Sequence, residues 1–287
     1  WRGLTKTGLD ALAVASIGGN TKTGHILELS LIPFSIVRDW PALSKGVKPL
    51  LQGTVYVKAM RDRGLIKDVC PGDCIYVDTD KGCYVQHNVR SAGQVARIIR
   101  DILTIPAGLG IDVDAIKKVC RVAKALGVDK VRSMVVGDAG MLPPDEWTAI
   151  EAVLLRYYPP KQWRGYTHDW RNSLHLQLTH VASCDTPDGA ELAMSQGWNV
   201  FEVLDPIAPK MPPQSTLCPA SKEFEKLKGF SIGCGGCPIA CNGSGRPMRR
   251  VIPRHANGDA ARKAAAARRG VVLTDSKGRL RGLYAAA

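Results

Sequence analysis

Val131-Arg132-Ser133-Met134-Val135-Val136-Gly137-Asp138 reads as a buried strand that ends on a glycine turn and a carboxylate. Three later stretches repeat that form. Trp163-Arg164-Gly165-Tyr166-Thr167 runs into His168-Asp169, Leu176 to Ser183 into Cys184-Asp185, and Asn199 to Leu204 into Asp205-Pro206. Helical patterns separate most of them. Pro144-Asp145 opens one with Trp147, Ile150, Val153 and Leu154 apolar, and Thr186-Pro187-Asp188-Gly189 opens a short one that stops near Gly197. Upstream, Ser91 caps a helix through Leu103, and Asp114 caps another that ends at Gly127. Strand–helix alternation calls for parallel strands joined by right-handed crossovers. The expected fold class is α/β: a partial (β/α) barrel with N-terminal and C-terminal cysteine-rich metal-binding segments and a basic C-terminal tail.

In such folds the reacting groups stand at the C-terminal strand ends. Asp138, His168, Asp169, Cys184, Asp185 and Asp205 are therefore the candidate catalytic residues, ringing one mouth. The carboxylates and imidazole suit acid–base work or substrate holding, and Cys184 suits a thiol donor or quencher. The plainer reading is capping and loop polarity, which fits Asp185 and Asp188 beside a helix start.

Cysteines carry the second signal. The chain has nine, an odd count that fits a disulfide framework poorly. Cys218, Cys234, Cys237 and Cys241 are spaced C-x15-C-x2-C-x3-C among glycines and prolines, with His255 downstream. Thiolates this close form a disulfide, a zinc site or an iron–sulfur site, and four of them suit a closed, structural centre. Cys70, Cys74 and Cys83 are spaced C-x3-C-x8-C. The Pro71-Gly72 turn lets the first two converge, and three ligands leave one metal position open, as a reactive centre requires. Scattered buried thiols are the plainer alternative. Near the start, Ser16 to Gly24 sets glycine-rich backbone beside Lys22, a candidate for holding an anionic cofactor. The G-x-x-x-x-G-K-[ST] order is absent, and a turn into the strand Ile26–Leu31 is the simpler reading.

Charge divides the 287-residue chain unevenly. The net charge is +13, and from Arg246 onward eleven Lys/Arg face two Asp. Such an excess points to phosphate-rich partners, with a solvated tail as the plain alternative. Arg249, Arg250, Arg254, Arg262, Lys263, Arg268 and Arg269 are the candidate nucleic-acid contacts, several on an alanine-rich helix over 259–269. A hairpin is expected around Thr274–Gly278. The divisions are 1–90 with the three-cysteine group, 91–210 the barrel portion, 211–245 the four-cysteine segment and 246–287 the tail. No apolar run is long enough to span a membrane, so no membrane partner is expected. The opening Trp1–Lys6 has neither an initiator Met nor a signal-peptide core, the pattern of a chain trimmed at its front and of a cytoplasmic home.

The ordered set Gly19-Asn20-x-Lys22-Thr23-Gly24, Cys70-Pro71-Gly72 with Cys83-Tyr84, Val136-Gly137-Asp138, Tyr166-Thr167 and Cys218-Pro219 with Cys234/Cys237/Cys241 resembles the phage and plasmid "gene product eighty-eight" family over about residues 16–245. Members look like distant relatives of radical-SAM barrels. The resemblance implies a partial barrel with one or two iron–sulfur clusters of the [4Fe–4S] type, and S-adenosylmethionine as a possible co-substrate. One departure matters: radical-SAM enzymes use C-x3-C-x2-C, whereas here the third cysteine is displaced. By architecture alone the chain is also similar to guanine transglycosylases, barrels with a zinc site and strand-end aspartates. Three functions follow as expectations: an iron–sulfur enzyme acting on nucleic acid or nucleobases, a zinc-supported base-exchange enzyme using Asp138, Asp185 or Asp205, or a non-enzymatic, metal-stabilised DNA-binding or replication-associated protein.

Overall fold

A computed structural model describes residues 1–20, 24–71, 89–103, 108–204, 211–212, 215–219, 221–230, 232, 237, 241, 248–253, 273–274 and 280–282. The chain begins with an antiparallel meander, β1 (Arg2–Leu4), β2 (Asp10–Asn20) and β3 (Gly24–Pro33). Among the described residues the helices α1 (Phe34–Leu43), α2 (Gln52–Asp62), α3 (Ile66–Val69), α4 (Val89–Ile102) and α5 (Val113–Ala125) follow. Then come β4 (Val131–Val136), α6 (Pro144–Leu155), β5 (Trp163–Thr167), β6 (His180–Cys184), α7 (Pro187–Ser195) and β7 (Val200–Leu204). The last part holds β8 (Ser215–Leu217), α8 (Lys222–Lys228), β9 (Arg249–Pro253) and the hairpin β10 (Leu273–Thr274) with β11 (Leu280–Gly282).

Nine of these strands form one open sheet in the order β1-β2-β3-β4-β5-β6-β7-β9-β8. Every neighbour from β3 onward is parallel. From β3 to β7 each crossover advances one place in the same direction, so right-handed connections set their helices on one face. That order is compatible with a partial barrel; among the described residues the sheet stays open, with β1 and β8 as its edges. No described helix is long and apolar enough to cross a membrane.

The helix-covered face is the core. Trp147 of α6 meets Trp163 of β5 edge-on at 6.2 Å and the His180 ring of β6 at 5.2 Å. Trp40, Trp147, Trp163, Trp170 and Trp198 are all fully buried. Gly165 lies in this packing: a Cβ there would sit 2.6 Å from the His180 ring.

Several local expectations shift by a residue or two. Asp112, not Asp114, caps α5 by accepting from the Ala115 N–H at 2.8 Å. Thr186, not Asp185 or Asp188, caps α7 by accepting from Gly189 N–H at 3.1 Å. β6 starts at His180 rather than Leu176, because Leu174–Leu176 forms a 3-10 turn. Asn20 pairs with Gly24 across the β2–β3 hairpin, the turn reading of the glycine-rich stretch; Lys22 itself lies outside the described residues. Arg249–Pro253, assigned to the tail by charge, is an interior strand between β7 and β8. The basic helix over 259–269 lies outside the described residues.

β4 is not regular. Glu28 pairs with Arg132 and Ser30 with Val136, so β4 carries extra residues across from β3, and Met134 takes φ 46°. A left-handed methionine inside a strand is strained, and it marks the bulge. Pairing of β4 to β5 ends at Arg132–Arg164. There Cys241 bridges to Arg164, and its carbonyl accepts from Gly165 N–H at 3.4 Å.

A buried polar chain crosses the core face. The Thr179 hydroxyl hydrogen-bonds Glu151, which also accepts from Trp147 Nε1–H at 3.3 Å. Thr179 Oγ1 lies 3.0 Å from His180 Nδ1, and His180 Nε2 lies 2.7 Å from Ser133 Oγ. With Glu151 ionised, Thr179 donates to it and accepts from His180 Nδ1–H, leaving Nε2 to accept from Ser133. Burial, opposed by the charge of Asp138, pushes the His180 pKa down to about 4.

The unfolded chain binds the His180 proton near pH 6.5 and the folded chain only near pH 4. His180 therefore destabilises the fold as pH falls from 6.5 toward 4, by roughly 3 kcal/mol in total. Glu151, held above its ordinary value by burial, acts in the opposite sense as pH rises. Urea unfolding from pH 7 to pH 4 should show the wild type losing more stability than His180→Gln; parallel curves would contradict this account.

Candidate functional site

The mouth is built from the ends of β4, β5 and β6. Gly137 takes φ 79°, and a Cβ there would lie 2.8 Å from the Leu31 side chain, so glycine both makes the turn and fits the gap. The turn delivers Asp138, whose N–H donates to the Val69 carbonyl at 2.8 Å. Asp138 is 3% exposed, and its carboxylate meets donors from its own turn and from the end of β5. Oδ1 accepts from Gly140 N–H and from the Thr167 hydroxyl, each at 2.8 Å, and Oδ2 accepts from His168 N–H at 2.7 Å. Burial pushes the Asp138 pKa up, but His168 and these N–H groups outweigh it and hold the carboxyl below the usual range. Asp138 is an anion at neutral pH.

His168 stands over that anion. Its Nδ1 lies 3.8 Å from Asp138 Oδ2, and its Nε2 lies 3.1 Å from Ser183 Oγ. Carboxylate, imidazole and hydroxyl thus line up across β4, β5 and β6, the last only 8% exposed. Ser183 faces away from the helices, because His180, Ala182 and Cys184 alternate to the core side. Its neighbour across the strand is Phe201 of β7, whose ring packs 4.9 Å from that of Tyr166 on β5.

The other strand-end residues do different work. Asp169 binds Lys6 at 3.0 Å, the Ser173 hydroxyl at 2.7 Å and Asn172 at 2.8 Å. It fastens the β1–β2 hairpin to the mouth. Cys184 is a correction: its thiol is 3% exposed on the core side, and burial raises its pKa to about 12, so it is a packing group rather than a donor or quencher. Asp185 is half-buried in the turn before α7, and Asp205 lies outside the described residues.

Cys70, partly exposed, directly follows Val69, whose carbonyl binds Asp138. The three-cysteine group therefore starts at the mouth, and Cys74 and Cys83 lie outside the described residues. In the other set, the buried Cys237 carbonyl accepts from Arg164 Nη2 at 3.0 Å, which ties it to β5 along with Cys241. Cys218 follows β8, its N–H donating to Val251 at 2.9 Å. Sheet register aligns Thr167 with Ser215 through Ala182, Val200 and Arg249. Arg164 lies below that row and Cys218 above it, an offset along the strands of roughly 20 Å. Among the described residues no group of three His, Cys, Asp or Glu is placed to hold a metal. Cys234 and His255 lie outside them.

Arg249 is the second correction. It is 6% exposed, and its Nε–H donates to Glu202 at 2.7 Å, so this guanidinium is part of the sheet and offers no surface for a phosphate. Arg250 is half-buried and hydrogen-bonds Thr216. Arg254, Arg262, Lys263, Arg268 and Arg269 lie outside the described residues. Ser183 is what sequence reading missed. Its signal was the alternation Val181-Ala182-Ser183-Cys184, which sends the serine and the cysteine to opposite faces.

No protein-family model matches this chain, and no curated protein or solved structure matches it significantly. The class is set by the fold: an α/β protein with a mostly parallel sheet and a polar centre at its C-terminal strand ends.

Replacing Asp138 by Ala leaves the Gly140 and His168 N–H groups and the Thr167 hydroxyl without their acceptor. The expected loss of stability is about 3–5 kcal/mol, read as a lowered urea midpoint. Cys184 in the native protein should resist a thiol reagent at pH 7.5 and react once unfolded; fast native labelling mapped to Cys184 would contradict its placement.

Proposed function

We propose that this chain is an enzyme acting on nucleic acid or nucleobases, with the strand-end mouth as its reacting centre and His168 as its acid–base group. The observation that carries the reading is the His168 ring held between the Asp138 carboxylate and the Ser183 hydroxyl. A histidine in that setting has one nitrogen turned to an anion that steadies the protonated ring. The other nitrogen, 3.1 Å from Ser183 Oγ, is positioned to pass a proton to whatever lies over Ser183.

Two features support the nucleic-acid part. The Tyr166–Phe201 pair, next to Ser183 on the same face, suits stacking on a flat base. The net charge of +13 suits a phosphate polymer. The resemblance to the gene-product-eighty-eight family adds the cofactor. Cys70 at the mouth fits thiolate donation beside the centre, and Cys74 and Cys83 would complete the set. An iron–sulfur cluster on them, with or without S-adenosylmethionine, would supply one-electron chemistry, and zinc would supply Lewis acidity instead. Whichever group binds, this chain's part is the same: Asp138 orients His168, and His168 holds or moves the proton.

Base exchange by an Asp138 nucleophile is the weaker reading. Both oxygens of that carboxylate are engaged by Gly140, Thr167 and His168, and attack would strip those bonds away.

The test uses protein made without air, with iron, zinc and acid-labile sulfide measured per chain. It is then incubated with short single-stranded DNA and RNA, S-adenosylmethionine and a reductant. Wild type should bind the oligonucleotide and change its mass, whereas His168→Gln should bind equally and leave the mass unchanged. Equal conversion by His168→Gln, or no oligonucleotide binding by wild type, overturns the proposal.

A further inference from the structure

The hydroxyl in the mouth is more than a bystander to the histidine. Ser183 Oγ lies 3.1 Å from His168 Nε2, the distance of a nucleophile from its base, and the opposite ring nitrogen faces the buried Asp138 anion at 3.8 Å. The three groups stand at the ends of three neighbouring parallel strands: the β5–β6 pairing sets Ser183 level with His168, and hydrogen bonds from Thr167 and His168 fix Asp138. Thr167 strengthens the frame, donating to Asp138 Oδ1 while accepting from Asp169 N–H at 3.1 Å.

The surroundings of Ser183 choose between electrophiles. A phosphodiester stays anionic through reaction and needs a cation beside the nucleophile. Among the described residues the cations around this end of the sheet are already engaged: Lys6 is bound by Asp169, Arg249 by Glu202 and Arg250 by Thr216, and Arg171 stacks on Trp170. Asp185 follows Ser183 by two residues and adds negative charge. A neutral carbonyl carbon has no such requirement. On the other side of Ser183, Val181 and the Tyr166–Phe201 pair make an apolar wall with both rings half-exposed, matched to a flat, uncharged group.

We propose that Ser183 is a catalytic nucleophile that attacks the carbonyl carbon of a carboxylic ester bearing a flat ring, with His168 as its base and Asp138 as the residue that positions that base. The inference rests on the reading of His168 as the acid–base group and names the nucleophile and substrate class of the same mouth. The Ser183 Oγ–carbon bond forms as its proton passes to His168 Nε2. The carbon–oxygen bond to the leaving alcohol then breaks, and that alcohol takes the proton from His168. Water attacks the acyl-serine in the same way, giving its proton to His168, and Ser183 recovers a proton as the carboxylic acid leaves. The flat ring is supplied either by an aryl ester or by an acylated nucleoside.

The experiment treats the whole chain with a fluorophosphonate probe and reads intact mass and peptide maps. One adduct per chain on Ser183 is expected, absent from Ser183→Ala, at least 100-fold slower in His168→Gln, and unchanged in the control Ser195→Ala. No adduct on wild type, or one that persists in Ser183→Ala, overturns the proposal. Should Ser183→Ala fail to fold, Ser183→Cys tests the same point: its thiol should alkylate with a pH midpoint well below that of an ordinary cysteine. A midpoint near 8.5 sinks the His168 base itself. A low midpoint with no fluorophosphonate adduct on wild type removes the nucleophile alone and leaves the acid–base reading standing. Turnover of p-nitrophenyl acetate without turnover of 3′-O-acetyladenosine assigns the aryl source, and the reverse assigns the nucleoside. Turnover of neither removes the ester class.

Discussion

A carboxylate buried at the end of β4 has to find its donors inside the protein, and Asp138 finds them on pieces of chain that are far apart in sequence. The Gly140 N–H comes from its own turn, while the Thr167 hydroxyl and His168 N–H come from the end of β5. Its own N–H reaches back to Val69 at the end of α3. Because an ionised buried group without partners costs several kcal/mol, these segments are held in one arrangement. The same bonds orient His168.

β6 then separates two polar chains by the alternation of a strand. His180 turns to the helices and joins Ser133, Thr179 and Glu151 in a closed buried network. Ser183 turns the other way and joins His168 and Asp138 in an arrangement that reaches the surface through the imidazole. The first chain is fully enclosed and holds its histidine neutral, which is the behaviour of a structural group. The second keeps an anion beside a partly exposed ring, which is what proton transfer needs. The bulge at Met134 belongs to the same region. By ending the pairing of β4 with β5, it leaves the place that Cys241 takes beside Arg164 and Gly165.

Much of this could be read from residues, and the misses have physical causes. The strands at Val131, Trp163 and Asn199 were legible because apolar runs ended on polar turns. Asp138 and His168 were legible because reacting groups in parallel sheets collect at strand ends. Cys184 was misjudged, since one residue along a strand reverses the face, and a thiol on the core side is raised out of the reactive range. Arg249 was misjudged for a related reason. Charge counting takes every arginine as surface, and only the partner strand shows that Glu202 neutralises this one. The cap of α5 fell on Asp112 because a capping side chain must reach the third N–H, which two nearby aspartates compete to do.

By itself, the sequence determined the alternation of strands and helices, the parallel sheet that follows from it and the end of that sheet where polar groups gather. These are local properties: periodicity, turn residues and propensity act over a few positions along the chain. Only the tertiary structure decided which of those polar groups meet. Asp138 and His168 are brought together by hydrogen bonds between the turns that follow β4 and β5, and Ser183 is set beside them by the register of β6 on β5. Register depends on pairings between distant residues, and no spacing along the chain records it.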